Sequence, residues 1–208
     1  YLMGIVVGIL SALVFKRTLY RGKPVPFVME LPNYRLPNLK SVLLLMWDKA
    51  KDFLTRAFTV IFAASIIIWF LQTFDLHLNV VEDSAQSLLA DVGKFLAPIF
   101  APLGFADWKA ATALITGFSA KETIISTFAV LTGAGTAELP TALNTLFTPL
   151  TAFVFLTFTL IYTPCVAAVA AIKRELGSAW SALGVVLYQT GIAWLAAFIV
   201  YRIGLLFL

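Results

Sequence analysis

Charge-free apolar stretches alternate with short polar ones along the chain. Residues 1–15 carry no charge and end at Lys16 and Arg17. A bilayer core takes about 20 helical residues, so this stretch is expected to be the end of a span cut short. Gly4, Gly8 and Ala12 recur every four residues, a spacing that lets helix backbones approach closely. Residues 57–74 form 18 consecutive uncharged positions, long enough to span. Residues 176–201 are also uncharged and predict a last span. In between, 108–131 is apolar but broken by Gly117 and by Lys121-Glu122. The span 151–172 is broken at Pro164-Cys165.

Pro24, Pro26, Pro32 and Pro37 exclude a helix over 20–38 and predict an extended segment along the membrane surface. Asn38 is a good N-cap. After it, Leu39, Val42, Leu43, Met46, Ala50, Phe53 and Leu54 keep helical spacing, with Lys40, Asp48, Lys51 and Asp52 on the other face. That predicts an interfacial amphipathic helix leading into 57–74. Residues 75–107 return to polar composition. There Ser84 is expected to cap a short surface helix carrying Leu88, Leu89, Val92, Phe95 and Leu96, ended by Pro98 and Pro102. Residues 132–150, with Pro140 and Pro149, predict loop and short helix.

Composition sharpens this picture. Of 208 residues, 61% are hydrophobic and 12% charged, half the charged share of an ordinary soluble domain. Soluble enzymes and disordered chains are excluded. A disulfide scaffold is impossible with the single cysteine, Cys165. Tyr1 lies inside an apolar run with no initiator Met and no basic n-region, which is not a signal peptide, and a longer protein is expected. Nine of the 15 Lys and Arg lie within 16–56, flanked by charge-free stretches. This basic block reads as a cytoplasmic loop against anionic lipid rather than a nucleic-acid surface.

Sidedness then constrains topology. With 16–56 inside, 57–74 runs outward and the acidic 75–107 lies outside. Lys173 and Arg174 should be inside again, which leaves one crossing, 151–172, between them. Residues 108–131 must therefore enter and leave on the outer side, as a re-entrant hairpin with its tip near 117–121. Each leg of about 11 residues would reach roughly 16 Å, half the bilayer core. Gly117 is expected to supply the unusual dihedrals of the tip. The expected fold is an all-α polytopic membrane helix bundle with a re-entrant hairpin and a Pro-broken helix. Its parts are the truncated helix 1–16, the cytoplasmic segment 17–56, a repeat over 57–175 and the C-terminal helix 176–208.

Several residues could carry chemistry. Lys121 and Glu122 are ionisable groups at membrane depth, which either mark a pathway or pair with each other. Thr112, Thr116, Ser119, Thr123 and Ser126 would form one hydroxyl stripe on a helix, lining a hydrated route or bonding to backbone. Pro164 frees a carbonyl near Leu160 or Ile161. A Cys165 thiolate beside it could ligate a borderline divalent metal in passing. No Walker-type phosphate loop, His-Glu-x-x-His pair or Ser–His–Asp set occurs, and His77 is the only histidine. A nucleoside carrier would need amides or carboxylates at depth, for which Gln189, Thr190 and Glu122 are few. A docking subunit without its own pathway is a third reading.

Three motifs, PFVMELPNYRLP (26–37), GFSAKET (117–123) and YTPCVAAVAAIKRE (162–175), together resemble the C-terminal half of the ferrous iron transport protein B family. The resemblance implies the second of two Gate repeats, related to nucleoside-recognition folds, with flanking helices. It implies Fe²⁺ uptake across a prokaryotic inner membrane by a multi-pass protein. Fe²⁺ is then the transported ion, and this chain holds no cofactor or enzyme activity of its own. GTP and Mg²⁺ belong to an N-terminal GTP-binding domain outside the chain. That domain, the first Gate repeat, the lipid bilayer, a small cytoplasmic accessory protein and a second copy are the implied partners, with no nucleic acid. The candidate Fe²⁺ ligands are Cys165 and Glu122. The implied pathway and hinge residues are Gly117, Ser119, Lys121, Thr123, Thr163 and Pro164.

Overall fold

A computed structural model describes residues 2–18, 37–81, 83–135, 137–163 and 165–207, with the side chains of Phe53, Arg56 and Ala57 left aside. The extended segment expected over 20–38 lies mostly outside the described residues, and so does Pro164. The described residues are helical apart from turns and one isolated bridge, Phe74 to Val80. The chain is an all-α membrane helix bundle. It divides into two units, 1–55 and 56–208, with the boundary inside one helix.

In the first unit, α1 (Leu2–Thr18) has no buried residue. Helix α2 (Leu39–Thr73) begins there, where Asn38 Oδ1 accepts the Lys40 N–H at 3.1 Å, the cap expected from the sequence.

The second unit holds the rest. Helix α3 (Leu88–Phe100) is capped by Ser87, not Ser84, because Asp83 and a short 3-10 turn over Ser84–Gln86 come first. Pro98 sits inside α3, and the helix is closed by a 3-10 turn over Ala101–Leu103. The helix buries one face, Leu89, Ala90, Gly93 and Ala97, while Val92 and Phe95 of the expected apolar set stay exposed. Gly93 carries that contact, since a Cβ there would meet the Thr112 side chain and the Trp108 carbonyl oxygen.

Helices α4 (Trp108–Ser119) and α5 (Thr123–Thr132) fold back on each other. Trp108 and Lys109 at the start of α4 line one cleft with Val130, Leu131, Thr132 and Gly133 at the end of α5, so both legs open on the same side. The tip is 120–122. Gly117 lies within helical α4, and its lack of a side chain serves close packing rather than unusual dihedrals: a Cβ would strike Ile124 and the Tyr162 hydroxyl.

Helix α6 (Leu139–Leu146) is the short helix of the following loop. Thr148 caps α7 (Pro149–Ile161) in a reciprocal arrangement with Thr151. Helix α8 (Val166–Leu176) ends at Gly177, in the left-handed region, and α9 (Ala179–Phe207) returns. Pro149–Leu176, 28 residues, and α9 are long and apolar enough to cross a bilayer. Leu88–Leu103 with Trp108–Ser119 would add a third, but the two are bent by 105°.

The interior is rich in phenylalanine. Phe155 on α7 lies 5.4 Å from the Phe105 ring, 5.7 Å from Phe128 and 5.1 Å from Phe147. Each such pair is worth about 0.5–1.5 kcal/mol beyond its area. Lipid does not drive apolar helices together, so close fit must. Accordingly α9 buries Ala193 and Ala197 fully and lays Gly204 against Leu150 of α7. Leu187, Leu195 and Ile199 of α9 and Phe153 and Leu156 of α7 stay exposed, an apolar surface suited to lipid.

Candidate functional site

Two helix breaks form the site. At the first, Ser119 and Thr123 return their hydroxyls to backbone, Ser119 to the Thr116 carbonyl at 2.7 Å and Thr123 to that of Ala120 at 2.7 Å. Such local bonds compete with helix continuation. Ala120 is extended (φ −154°, ψ 127°), and Lys121 and Glu122 form the turn.

At the second break, α7 ends where the Tyr162 N–H closes on the Phe158 carbonyl at 2.8 Å. Tyr162 is extended, and the Cys165 carbonyl starts α8 by accepting from Ala168 and Val169. The helix carbonyls just before this break have lost their usual donors four residues on.

Lys121 takes them. Its half-buried ammonium donates to the Thr159 carbonyl at 3.0 Å, reaches within 3.5 Å of the Tyr162 carbonyl and lies 4.8 Å from the centre of the Tyr162 ring. The carbonyls that Lys121 meets are those of Thr159 and Tyr162, on either side of the Leu160–Ile161 pair expected from the sequence. The Tyr162 N–H still completes the last turn of α7. Lys121 does not pair with Glu122, which is exposed. Cys165 is a free, half-buried thiol close enough to the Lys121 ammonium to interact electrostatically. Thr159 Oγ1 is buried with no hydrogen-bond partner.

Thr163, 2% exposed, anchors the second break to α9. Its hydroxyl donates to the Val186 carbonyl at 3.0 Å, and the Thr190 hydroxyl lies at 2.6 Å. Among the described residues no group of three or more His, Cys, Asp or Glu gathers as a metal cluster.

The hydroxyl stripe divides. Thr112 leaves it: its oxygen is buried against Gly93 on the α3 side, without a hydrogen-bond partner. Thr116, Ser119, Thr123 and Ser126 line a cleft of about 220 Å³. Thr127 joins them there, its hydroxyl 2.8 Å from that of Thr116. The opposite wall is α2, with Ser65, Ile68, Trp69 and Gln72. Because Ser119, Thr123 and Ser126 each donate to a backbone carbonyl, their oxygens keep lone pairs to accept with, while that of Thr116 accepts from Thr127. Such a lining accepts hydrogen bonds and suits a hydrated cation.

Ser65 and Gln72 were missed by sequence reasoning. Their signal was present: they stand seven residues apart, two helical turns on one face, in a segment otherwise nearly all apolar. Tyr162 and Thr159 had no such signal, since one contributes a carbonyl and a ring face and the other a carbonyl.

A family model described as ferrous iron transport protein B C terminus matches residues 1–49. A Gate model, described as nucleoside recognition, matches 54–179, more than half of the chain. The chain is 41% identical over 208 residues to the Fe(2+) transporter FeoB of Staphylococcus aureus (strain MSSA476), covering 100% of this chain and 31% of the relative.

The chain belongs to the ferrous iron transport protein B family.

The FeoB of Methanocaldococcus jannaschii is 37% identical over 211 residues, covering 98% of this chain and 31% of the relative. A Porphyromonas gingivalis protein named as a fusion of Fe(2+) transport protein A with FeoB is 34% identical over 255 residues, covering 100% of this chain and 30% of its own length. The chain thus spans about a third of the family members it matches. No solved structure matches it. Within the Gate match lie both breaks, the hydroxyl cleft and Cys165.

Proposed function

We propose that this chain is the membrane permease portion of a GTP-dependent ferrous iron uptake transporter of the prokaryotic inner membrane. Fe²⁺ passes beside the hairpin tip and the Thr163–Cys165 break. The observation that carries the reading is the Lys121 ammonium on the Thr159 and Tyr162 carbonyls. It joins the two breaks midway along the 28-residue stretch 149–176, the depth at which a transporter holds its ion.

The hydroxyl cleft is the approach. At about 220 Å³ the cleft has room for an ion together with water. Cys165 and Glu122 then supply sparse, weak ligation, which favours release over storage. The GTP-binding domain lies elsewhere in the parent protein. The fused relative supports a small accessory partner, and 39–56 is the surface that would meet cytoplasmic domains.

A nucleoside carrier is the second reading. Trp69 and Gln72 in the cleft offer a stacking face and an amide, the groups a base reader needs. The cleft, at about 220 Å³, is smaller than the roughly 300 Å³ from which pockets for organic ligands run, which favours the ion.

Radioactive iron uptake into vesicles holding the complete protein tests both. Cys165→Ser and Glu122→Gln should each lower uptake, about tenfold for the thiol, with nucleoside failing to compete and Mn²⁺ competing weakly. Undiminished uptake in both variants removes these side chains from the path. Competition by nucleoside favours the second reading.

A further inference from the structure

The oxygen and ring acceptors that the Lys121 ammonium meets are neutral, and the Cys165 thiol lies near it. These acceptors are the Thr159 carbonyl at 3.0 Å, the Tyr162 carbonyl at 3.5 Å and the face of the Tyr162 ring at 4.8 Å. A buried, unpartnered hydroxyl oxygen, Thr159 Oγ1, lies on the same turn of α7. A buried polar atom without a partner calls for an ion or water to satisfy it. Carbonyls freed at a helix break are what membrane proteins use to replace the water around a cation.

We infer that the Lys121 ammonium is a tethered stand-in for the transported ion, holding the Thr159–Tyr162 cation site closed until a divalent cation displaces it.

This rests on the permease reading and names how that site is kept shut. An ammonium and a divalent ion cannot share one set of carbonyls a few ångströms apart, because their repulsion in a poorly screened interior exceeds what neutral acceptors return. Occupancy is therefore exclusive. The displaced ammonium has somewhere to go. Lys121 stands between Ser119 and Thr123, both of which line the cleft and, with their protons given to backbone carbonyls, can only accept. A four-carbon stem on a three-residue turn between helices can swing from one acceptor set to the other without unfolding either leg. While the ammonium is seated, its charge also repels other small cations. The device thus opposes leakage through a path lined by neutral oxygen.

A permanent staple between hairpin and α7 would have the same bonds but opposite consequences. For a staple, removing the ammonium loosens the site and weakens metal binding. For a stand-in, removing it takes away a competitor and tightens binding.

The test is equilibrium dialysis of the complete detergent-solubilised protein against radioactive cobalt(II), an air-stable divalent probe. Lys121→Met should bind cobalt roughly tenfold more tightly than wild type, the effect of no longer displacing one charge-assisted hydrogen bond. Lys121→Arg, which keeps the charge and the donors, should stay within about threefold of wild type. Equal or weaker binding by folded Lys121→Met overturns the inference.

Should Lys121→Met not fold, the wild-type protein decides. Acetylation of Lys121 by acetic anhydride, read by mass spectrometry, should rise several-fold when cobalt saturates the site. Unchanged acetylation with cobalt bound overturns the inference while leaving the permease reading intact. Absence of cobalt binding in wild type and variants alike overturns both.

Discussion

The Thr163 hydroxyl lies 2.6 Å from that of Thr190, and the proton between them belongs to Thr190. Thr163 spends its single proton on the Val186 carbonyl at 3.0 Å, so it must accept from Thr190. This short chain fixes the second break against α9. Thr163→Val should cost about 1–3 kcal/mol, because it leaves buried partners unpaired. Thr190→Val should cost less, since Thr163 keeps its bond to Val186. Thermal unfolding in detergent of the two variants and Thr163→Ser, which keeps the hydroxyl, checks the order.

Glycines are not equivalent here. A Cβ at Gly93 would meet the Trp108 carbonyl oxygen at 2.9 Å, a backbone atom that cannot swing aside. Gly93→Ala should therefore push α3 from α4 and destabilise by about 1–3 kcal/mol. Gly184 and Gly191 on α9 have nothing within 4 Å of a Cβ, and Gly191→Ala should be neutral or stabilising by up to about 1 kcal/mol. Melting temperatures measured side by side separate the cases.

Thr123 and Ser126 give their hydroxyl protons to nearby backbone, so loss of the cleft hydroxyls should affect ions more than folding. The triple variant Ser65→Ala, Thr123→Ala, Ser126→Ala is expected to lower iron uptake several-fold while its melting temperature shifts little. A normal uptake rate would take the cleft out of the path.

The hairpin has a sidedness consequence. In a Cys165→Ala background, a cysteine introduced at Ala106 and one at Ala137, both exposed, should react with an impermeant maleimide from the same side. One at Lys173 should react from the other. Labelling of the Ala106 and Ala137 positions from opposite sides would mean that 108–131 crosses the membrane.

The turn after α2 should be acid-sensitive. The backbone N–H of Asn79, at 2.8 Å, and that of His77, at 2.8 Å, hold the Asp75 carboxyl below its ordinary value of 3.8. A depressed folded value means the carboxylate steadies the turn above 3.8 and loses that effect as pH falls through the lowered value. The His77 and Asn79 amide signals should titrate together with a midpoint below 3.8, and Asp75→Asn should abolish that midpoint.

Much of the helical plan was legible because its causes are local. Asn38 capping α2, the charge-free runs, and interruptions near 120 and 164 follow from side-chain pattern, caps and prolines within a few residues. The misreadings had local causes too. Ser84 is a good cap by residue type, yet Ser87 stands three residues nearer the apolar face and caps α3. Gly117 was assigned to the tip because glycine tolerates unusual dihedrals, whereas the structure uses its missing side chain to admit Tyr162 and Ile124.

Amino-acid order alone determined where the helices break and that Lys121 and Cys165 each stand at a break. It could not determine that the two breaks meet. Lys121 finds its acceptors 38 and 41 residues away, and Thr112 leaves the stripe of its own helix for a slot opposite Gly93. Those relationships depend on how neighbouring helices pack to within an ångström. That fit is set by the shapes of many side chains at once, and no spacing along the chain records it.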